Sequence, residues 1–416
     1  AVTLLYKEGY FKQKIDAAGD QIELYPSFDY KSFFELVSEK VFITLNQRKV
    51  WISIYRYFYK GENNHQVPIY FLDTDLDDNH SNDRDITKRL YSGDSNHRIM
   101  QEAILGIGGM KALEVLGYNG IETYHMNEGH CSFLTFELLK KYNGDEDMVR
   151  SKCHFTTHTP VPAGHDQFDI SDCQKILGEQ LPRSLNLKTL KENNQLHMTE
   201  LGLFFSKSAN GVSKLHGDVA QNQFPQFNLD YITNGVHHIS WMGKYFSELF
   251  DKKIPGWRLE PNLLCSLKDI CDDEVESAHI KQKELLFNEE GLKEQMFSTD
   301  VLTIGFARRF ATYKRASLVF RDIPRLNEIG SGQIQFVFSG KAHPRDEGGK
   351  ALIKEIFDAS KVLEDIPVAF LEDYSMATGL AMTSGVDIWL NTPVRPMEAS
   401  GTSGMKAVMN GVPNLS

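Results

Sequence analysis

No stretch of this chain comes near the about 20 consecutive apolar residues that a membrane-spanning helix needs, so helical membrane functions are excluded. Cysteine is scarce. Cys131, Cys153, Cys173, Cys265 and Cys271 are odd in number and show no paired metal spacing, which reads as the reduced thiols of an intracellular, cytoplasmic protein. Positive charge is short as well: 45 Lys and Arg stand against 56 Asp and Glu, a formal net charge of −11. Non-specific nucleic-acid binding needs a basic face that displaces counterions, so nucleic acid is not an expected partner. The chain has no fixed-period repeat and no low-complexity segment, which sets aside solenoids and propellers. Its start, AVTLLYKEGYFKQ, carries no cleavable signal and reads as a chain entered midway.

What is there is α/β texture, at a length of 416 residues that calls for two lobes rather than one core. In the first half, 67-VPIYFLDTD-75 reads as a buried strand, and 98-RIMQEAILGIGGMKALEVL-116 and 132-SFLTFELLKKY-142 read as helices. Residues 261–297 have charges and apolar positions near helical spacing and read as helices joining the lobes. Beyond them, 301-VLTIGFA-307, 333-QIQFVFSG-340, 367-PVAFLE-372 and 386-VDIWLN-391 are short β-rich runs separated by helical segments. Strands so spaced need crossover helices, which predicts a parallel, doubly wound sheet. Ligands of such sheets bind at the carboxyl ends of the strands, where the segments RRFATYKR, KAHPRDEGG, DYS and TPVRPMEASGTSGMK all fall.

Two of these segments ask for an anion. In 308-RRFATYKR-315 four cations follow a buried strand, and a helix starting near Phe310 would place Arg309 and Lys314 at its first turn, where the helix dipole favours phosphate; the bland alternative is a solvated basic turn. In 398-EASGTSGMK-406, Gly401 and Gly404 let the backbone amides of Ser400 to Ser403 turn toward one point, and Thr402 and Ser403 add hydroxyls. This is not a Walker A loop, since only two residues separate the glycines and Ala407 follows the lysine. A lysine beside a phosphate nest is what holds a phosphate-bearing aldehyde cofactor as a Schiff base, which makes Lys406 more than an exposed helix residue.

Other motifs are weaker. The spacing of His154, His158 and His165, with two prolines in the second interval, does not set three imidazoles on one helical face, so no metal site is expected. Neutral His and Asn groups in 124-YHMNEGH-130 and 154-HFTTHTPVPAGH-165 suit sugar hydroxyls, or merely stabilise their loops. The 106-GIGG-109 run lacks the third glycine of a dinucleotide fingerprint and reads as helix packing or a helix break. The acidic 73-DTDLDDN-79 could hold a divalent ion but reads better as a solvated turn.

Taken in order, LLYKEGYFKQ, YHMNEGH, FTTHTPVPAGH, ITNGVH, FARRFATYKR, SGKAHPRDE and EASGTSGMK resemble the α-glucan phosphorylases of glycogen, starch or maltodextrin, in their short bacterial or archaeal form, over nearly the whole chain. The resemblance implies two Rossmann-like lobes (glycosyltransferase B architecture), here 1–236 for glucan and glucose and 237–416 for cofactor and phosphate, with the active site between them and both lobes incomplete at the chain ends. It implies pyridoxal 5′-phosphate on Lys406, with Arg308, Gly401 and Thr402 near the cofactor phosphate and Tyr374 near the cofactor. Arg309 and Lys314 would take the substrate phosphate, Glu398 and Tyr313 the reacting glucose, and Asn234 and His158 its 6-hydroxyl side and ring. The implied reaction is retaining phosphorolysis of a terminal α-1,4-linked glucose by inorganic phosphate, giving α-glucose 1-phosphate. Ala311 and Thr312 stand where the long animal enzymes have His and Glu, which argues against their allosteric apparatus. The competing readings are a nucleotide-sugar-dependent glucan synthase of the same architecture, which would not need Lys406, and a catalytically silent glucan-binding protein. The sequence specifies no oligomeric state.

Overall fold

The four apolar runs expected as strands in the second half are strands, and they lie in one all-parallel sheet of five. In a computed structural model, which describes residues 1–182, 191–293 and 296–416, their order is Val368–Leu371, Ile334–Ser339, Leu302–Ala307, Ile388–Leu390 and Asn414–Leu415. The helices Ile323–Gly330, Glu347–Ser360, Met376–Gly385 and Thr402–Met409 make the crossovers between successive strands. Alternation along each strand divides the core in two. Phe306, Phe336, Phe338 and Leu390 pack with Ile353 and Ile356 in one layer, while Ala307, Val337, Leu371 and Trp389 pack with Leu286, Met382 and Ala407 in another. The chain builds outward from Leu302–Ala307 to one edge and then returns to its other side with Ile388–Leu390. That reversal is the topological switch point, where open α/β sheets bind ligands. The edge strand Asn414–Leu415 is too short and polar to be legible as a strand.

The described residues divide into two compact units, Ala1–Phe11 with Tyr25–Thr233, and Lys12–Leu24 with Asn234–Ser416. The hairpin of Lys12–Ile15 and Gln21–Leu24 thus folds with the second unit, although a cut at residue 236 assigns it to the first. Two buried glutamines account for this. The Gln13 amide donates to the Gly340 carbonyl at 2.9 Å, and Gln21 exchanges hydrogen bonds with the Ala342 backbone at 2.9 and 3.0 Å. Residues 261–297 also belong to the second unit: Pro261–Asp269 forms 3₁₀ turns and Asp272–Phe287 an α-helix, while positions 294 and 295 lie outside the described residues.

In the first unit, Val2–Leu4, Gln66–Asp73, Arg48–Lys60 and Glu35–Leu45 form a mixed sheet, with Val2–Leu4 parallel to its neighbour and the rest antiparallel. A second sheet, all parallel, runs Leu229–Tyr231, Ser208–Gly211, Cys153–Thr156 and Tyr124–Asn127. Both expected helices form, Ser95–Val115 being interrupted by one π-helical stretch at Ile104–Gly108. A Cβ on Gly106 would meet the Leu134 amide nitrogen at 2.6 Å, so the GIGG run serves close helix packing. No helix among the described residues is long and apolar enough to cross a membrane.

Candidate active site

The switch point of the second unit gathers charge from two loops. Arg308 follows Leu302–Ala307 directly and is only 7% exposed. Its guanidinium donates to Asn391 Oδ1 at 2.6 Å and pairs with Glu398 Oε2 at 2.8 Å. Lys314, also buried, donates to that same Glu398 oxygen and lies 4.8 Å from the centroid of the Tyr313 ring. Burial, with Arg308 nearby, lowers the Lys314 pKa, and Glu398 opposes the shift. One carboxylate therefore answers two buried cations, and a surplus positive charge remains at the switch point.

No helix begins near Phe310. Phe310 instead bridges to Ala342, and the chain turns through a single 3₁₀ turn, Thr312–Lys314, ended by Arg315 at φ 52°. The cations are placed by loop-to-loop bonds rather than by a dipole: Arg315 donates to the Thr392 carbonyl at 2.6 Å, and the Val394 amide to the Tyr313 carbonyl at 2.8 Å. Arg309 is exposed and reaches the Tyr313 hydroxyl at 3.3 Å.

The Gly-rich turn adjoins this group. Gly401 is left-handed, φ 70° and ψ 44°, and a Cβ there would stand 3.7 Å from Glu398 Cγ and 4.0 Å from Arg308 Nη2. Thr402 opens the helix Thr402–Met409, which carries Lys406 in its last turn. The Ser400 and Ser403 hydroxyls are buried without a hydrogen-bond partner, as a cradle built for an anion would leave them. The Lys406 amine lies 3.4 Å from the centroid of the Trp241 ring, and burial lowers its pKa, which favours the neutral, nucleophilic amine. These residues fit a phosphate-bearing aldehyde.

Arg308, Lys314, Glu398 and Gly401 are thus brought together, joined by Asn391, which sequence reasoning missed; its one signal was its place directly after the strand Ile388–Leu390. Tyr374 stands beyond Val368–Leu371, two strands from Leu302–Ala307, with its hydroxyl 2.4 Å from where a Cβ on Gly379 would be. Asn234 lies in the loop after Leu229–Tyr231 and is counted with the second unit.

His158 belongs to the first unit, just past the strand Cys153–Thr156, and its backbone amide donates to Glu128 Oε1. Burial lowers its pKa. His154 is engaged elsewhere, with Ser208 Oγ and Asn210 Oδ1, both at 2.8 Å, and His165 with Thr199 Oγ1 at 2.9 Å. The acidic stretch is solvated at its tip, where the exposed Asp77 and Asp78 pair with Arg84 and Lys40, and the half-buried Asp75 takes Lys7 and Arg84. Asp73 accepts from Tyr30 and Thr87, each at 3.0 Å.

The sequence also matches known proteins. A sequence profile described as carbohydrate phosphorylase matches residues 166–416, and one described as starch synthase catalytic domain matches residues 21–234. The whole chain aligns at 39% identity with a maltodextrin phosphorylase of Thermococcus litoralis and at 34% with a glycogen phosphorylase of Mycobacterium tuberculosis, spanning 55% of each. It also aligns at 34% with a glycogen phosphorylase of Aquifex aeolicus, spanning 67% of it. The chain therefore spans about half the length of the first two relatives. With the profile covering well over half its residues and the alignments all of them, the chain belongs to the carbohydrate phosphorylase family.

Proposed function

We propose that the protein works as a cytoplasmic α-1,4-glucan phosphorylase, using inorganic phosphate to release α-glucose 1-phosphate from a glucan end. The observation that carries this reading is the switch-point group, in which Arg308 and Lys314 share Glu398 beside the Gly401 turn and the Lys406 helix. Lys406 would hold pyridoxal 5′-phosphate, with Gly401, Thr402 and the unpartnered Ser400 and Ser403 hydroxyls around its phosphate. When bound, that cofactor supplies a phosphate able to relay a proton to and from the substrate phosphate.

The chain's own residues do the rest. Arg308 and Lys314 supply fixed positive charge in a water-poor site, which screens two phosphates that would otherwise repel each other. Arg309 and Lys314 orient the attacking phosphate. Glu398, held by both buried cations, stays oriented to accept from a glucose hydroxyl while Tyr313 supports the same ring. His158 recognises hydroxyls at the first unit's sheet edge, and Tyr374 and Asn234 have supporting roles.

The test is borohydride reduction of the full-length protein followed by peptide mapping. A pyridoxyl group on Lys406 is expected, and Lys406→Ala should abolish covalent retention. Modification of a different lysine, or of none after cofactor loading, would overturn the reading. The starch synthase profile over residues 21–234 favours a second reading, glucosyl transfer from a nucleotide sugar. Transfer from such a donor without pyridoxal phosphate would establish it.

A further inference from the structure

The hairpin of Lys12–Ile15 and Gln21–Leu24 is built the wrong way round for burial. Its register pairs Gln13 with Glu23 and Ile15 with Gln21, so these four side chains share one face, while Lys12, Lys14, Ile22 and Leu24 share the other. The mainly polar face is the inward one. Gln13 is 1% and Gln21 8% exposed, whereas Ile22 and Leu24 are 42% and 46% exposed. Apolar burial therefore explains little of why the hairpin docks where it does.

The inward face makes a closed set of hydrogen bonds instead. Gln13 Nε2 donates to Gln21 Oε1 and to the Gly340 carbonyl, both at 2.9 Å, and Gln13 Oε1 accepts the Asp373 amide at 3.1 Å. Gln21 Nε2 donates to Glu23 Oε1 at 2.8 Å and to the Ala342 carbonyl at 3.0 Å, and its Oε1 accepts the Ala342 amide at 2.9 Å. Both hydrogens of each side-chain amide are used, and a buried network satisfied in this way rigidifies what it joins. It joins the loops that follow Ile334–Ser339 and Val368–Leu371, and the first of these carries a third loop. The Arg308 amide donates to the Ser339 carbonyl at 3.3 Å and the Phe310 amide to the Lys341 carbonyl at 2.9 Å, so both neighbours of Arg309 are tied to the segment that the glutamines hold. The fit is close: Gly340 stands at φ 135°, and a Cβ there would run into the Arg308 carbonyl oxygen.

We propose that Gln13 and Gln21 are positioning residues for inorganic phosphate, fixing the backbone from which Arg309 reaches the ligand without touching the ligand themselves. This rests on the phosphorylase reading above, in which Arg309 orients the attacking phosphate. The test is calorimetric titration of the full-length protein with inorganic phosphate, with thermal unfolding measured alongside, for the parent, Gln13→Met, Arg309→Ala and the double variant. Methionine keeps roughly the length of glutamine and removes the amide. Gln13→Met should weaken phosphate binding about tenfold at temperatures where the variant is fully folded. In the Arg309→Ala background the same substitution should weaken it by less than about twofold, because the guanidinium that the network places is gone. If Gln13→Met does not fold, Gln21→Met, at the more exposed of the two positions, gives the same cycle. Unchanged phosphate affinity in the folded variant, whatever its unfolding midpoint, would mean that the network serves only the fold. An equal loss in both backgrounds would mean that the glutamines do not act through Arg309. Either result overturns this proposal and leaves the phosphorylase reading intact, whereas a parent that binds no phosphate takes down both.

Discussion

Burial disfavours charge at both parallel-sheet edges, and the edges differ in whether a counterion opposes it. At the first unit's edge it removes charge, since His130 and His216 are pushed down to about 4 and Glu128 up to about 7. At the second unit's edge charge is kept, because Arg308 and Lys314 are buried against Glu398, which satisfies both. The folds are alike at this level, each a parallel sheet with loops at its carboxyl end. What differs is whether a counterion is built in. A neutral edge suits hydroxyls, and an edge with a surplus cation suits phosphate.

The comparison breaks most sharply at Glu398. Glu398→Ala leaves Arg308 and Lys314 buried without their shared counterion, so we expect a loss of about 3–5 kcal/mol of stability. Inorganic phosphate should restore part of it by binding the folded state. Urea unfolding with and without phosphate reads both effects. A small loss that phosphate does not change would show that the buried cations are satisfied without any anion.

Much of the second unit was legible beforehand because its strands are continuous apolar runs, which parallel sheets buried on both faces require. The clustering of its strand-end loops was legible for a related reason: Arg308, Lys314 and Gly401 stand in segments that follow the strands Leu302–Ala307 and Ile388–Leu390. The hairpin at residues 12–24 was not, because its place depends on Gln13 and Gln21 meeting backbone more than 300 residues away, and no local pattern encodes such a pairing. Nor was the turn at Phe310, where a bridge to Ala342 overrides the tendency to start a helix.

The next effect concerns pH, and the sign follows from the direction of the shifts. Histidines pushed down from 6.5 to about 4 bind protons more weakly folded than unfolded, so the stability they carry is present above about pH 6.5 and lost as pH falls toward 4. Glu128, pushed up, does the reverse: its contribution is full below about 4.5 and lost as pH rises through about 7. Each histidine proton taken up on unfolding should cost about 1.4 kcal/mol per pH unit. Urea unfolding of the full-length protein between pH 6.5 and 5.5 should therefore show stability falling with pH, and His197→Gln should remove one proton's share of that slope. An unchanged slope in His197→Gln would mean that the first unit does not hold this buried histidine neutral.

The smallest effect on stability, and the most specific on binding, is expected at Arg309. It is exposed, and its reach to the Tyr313 hydroxyl is long at 3.3 Å, so Arg309→Ala should change stability by no more than about 0.5 kcal/mol. Its neighbour Arg308 is buried and bound to Asn391 and Glu398, and so is already occupied by the protein. If the second edge is organised for anions, Arg309, being exposed, can turn toward an incoming phosphate. Losing a charge-assisted hydrogen bond should weaken phosphate binding by about 1.5–3 kcal/mol, roughly tenfold or more. Arg309→Lys should recover part of this through charge without recovering the bidentate fork. The readout is the phosphate dependence of the unfolding midpoint, which needs no turnover, set beside glucose affinity in the same variants. Loss of phosphate affinity alone would sharpen the division between the two edges. Equal loss of both ligands would erase it, since a cation that supports glucose as much as phosphate is not serving an anion site.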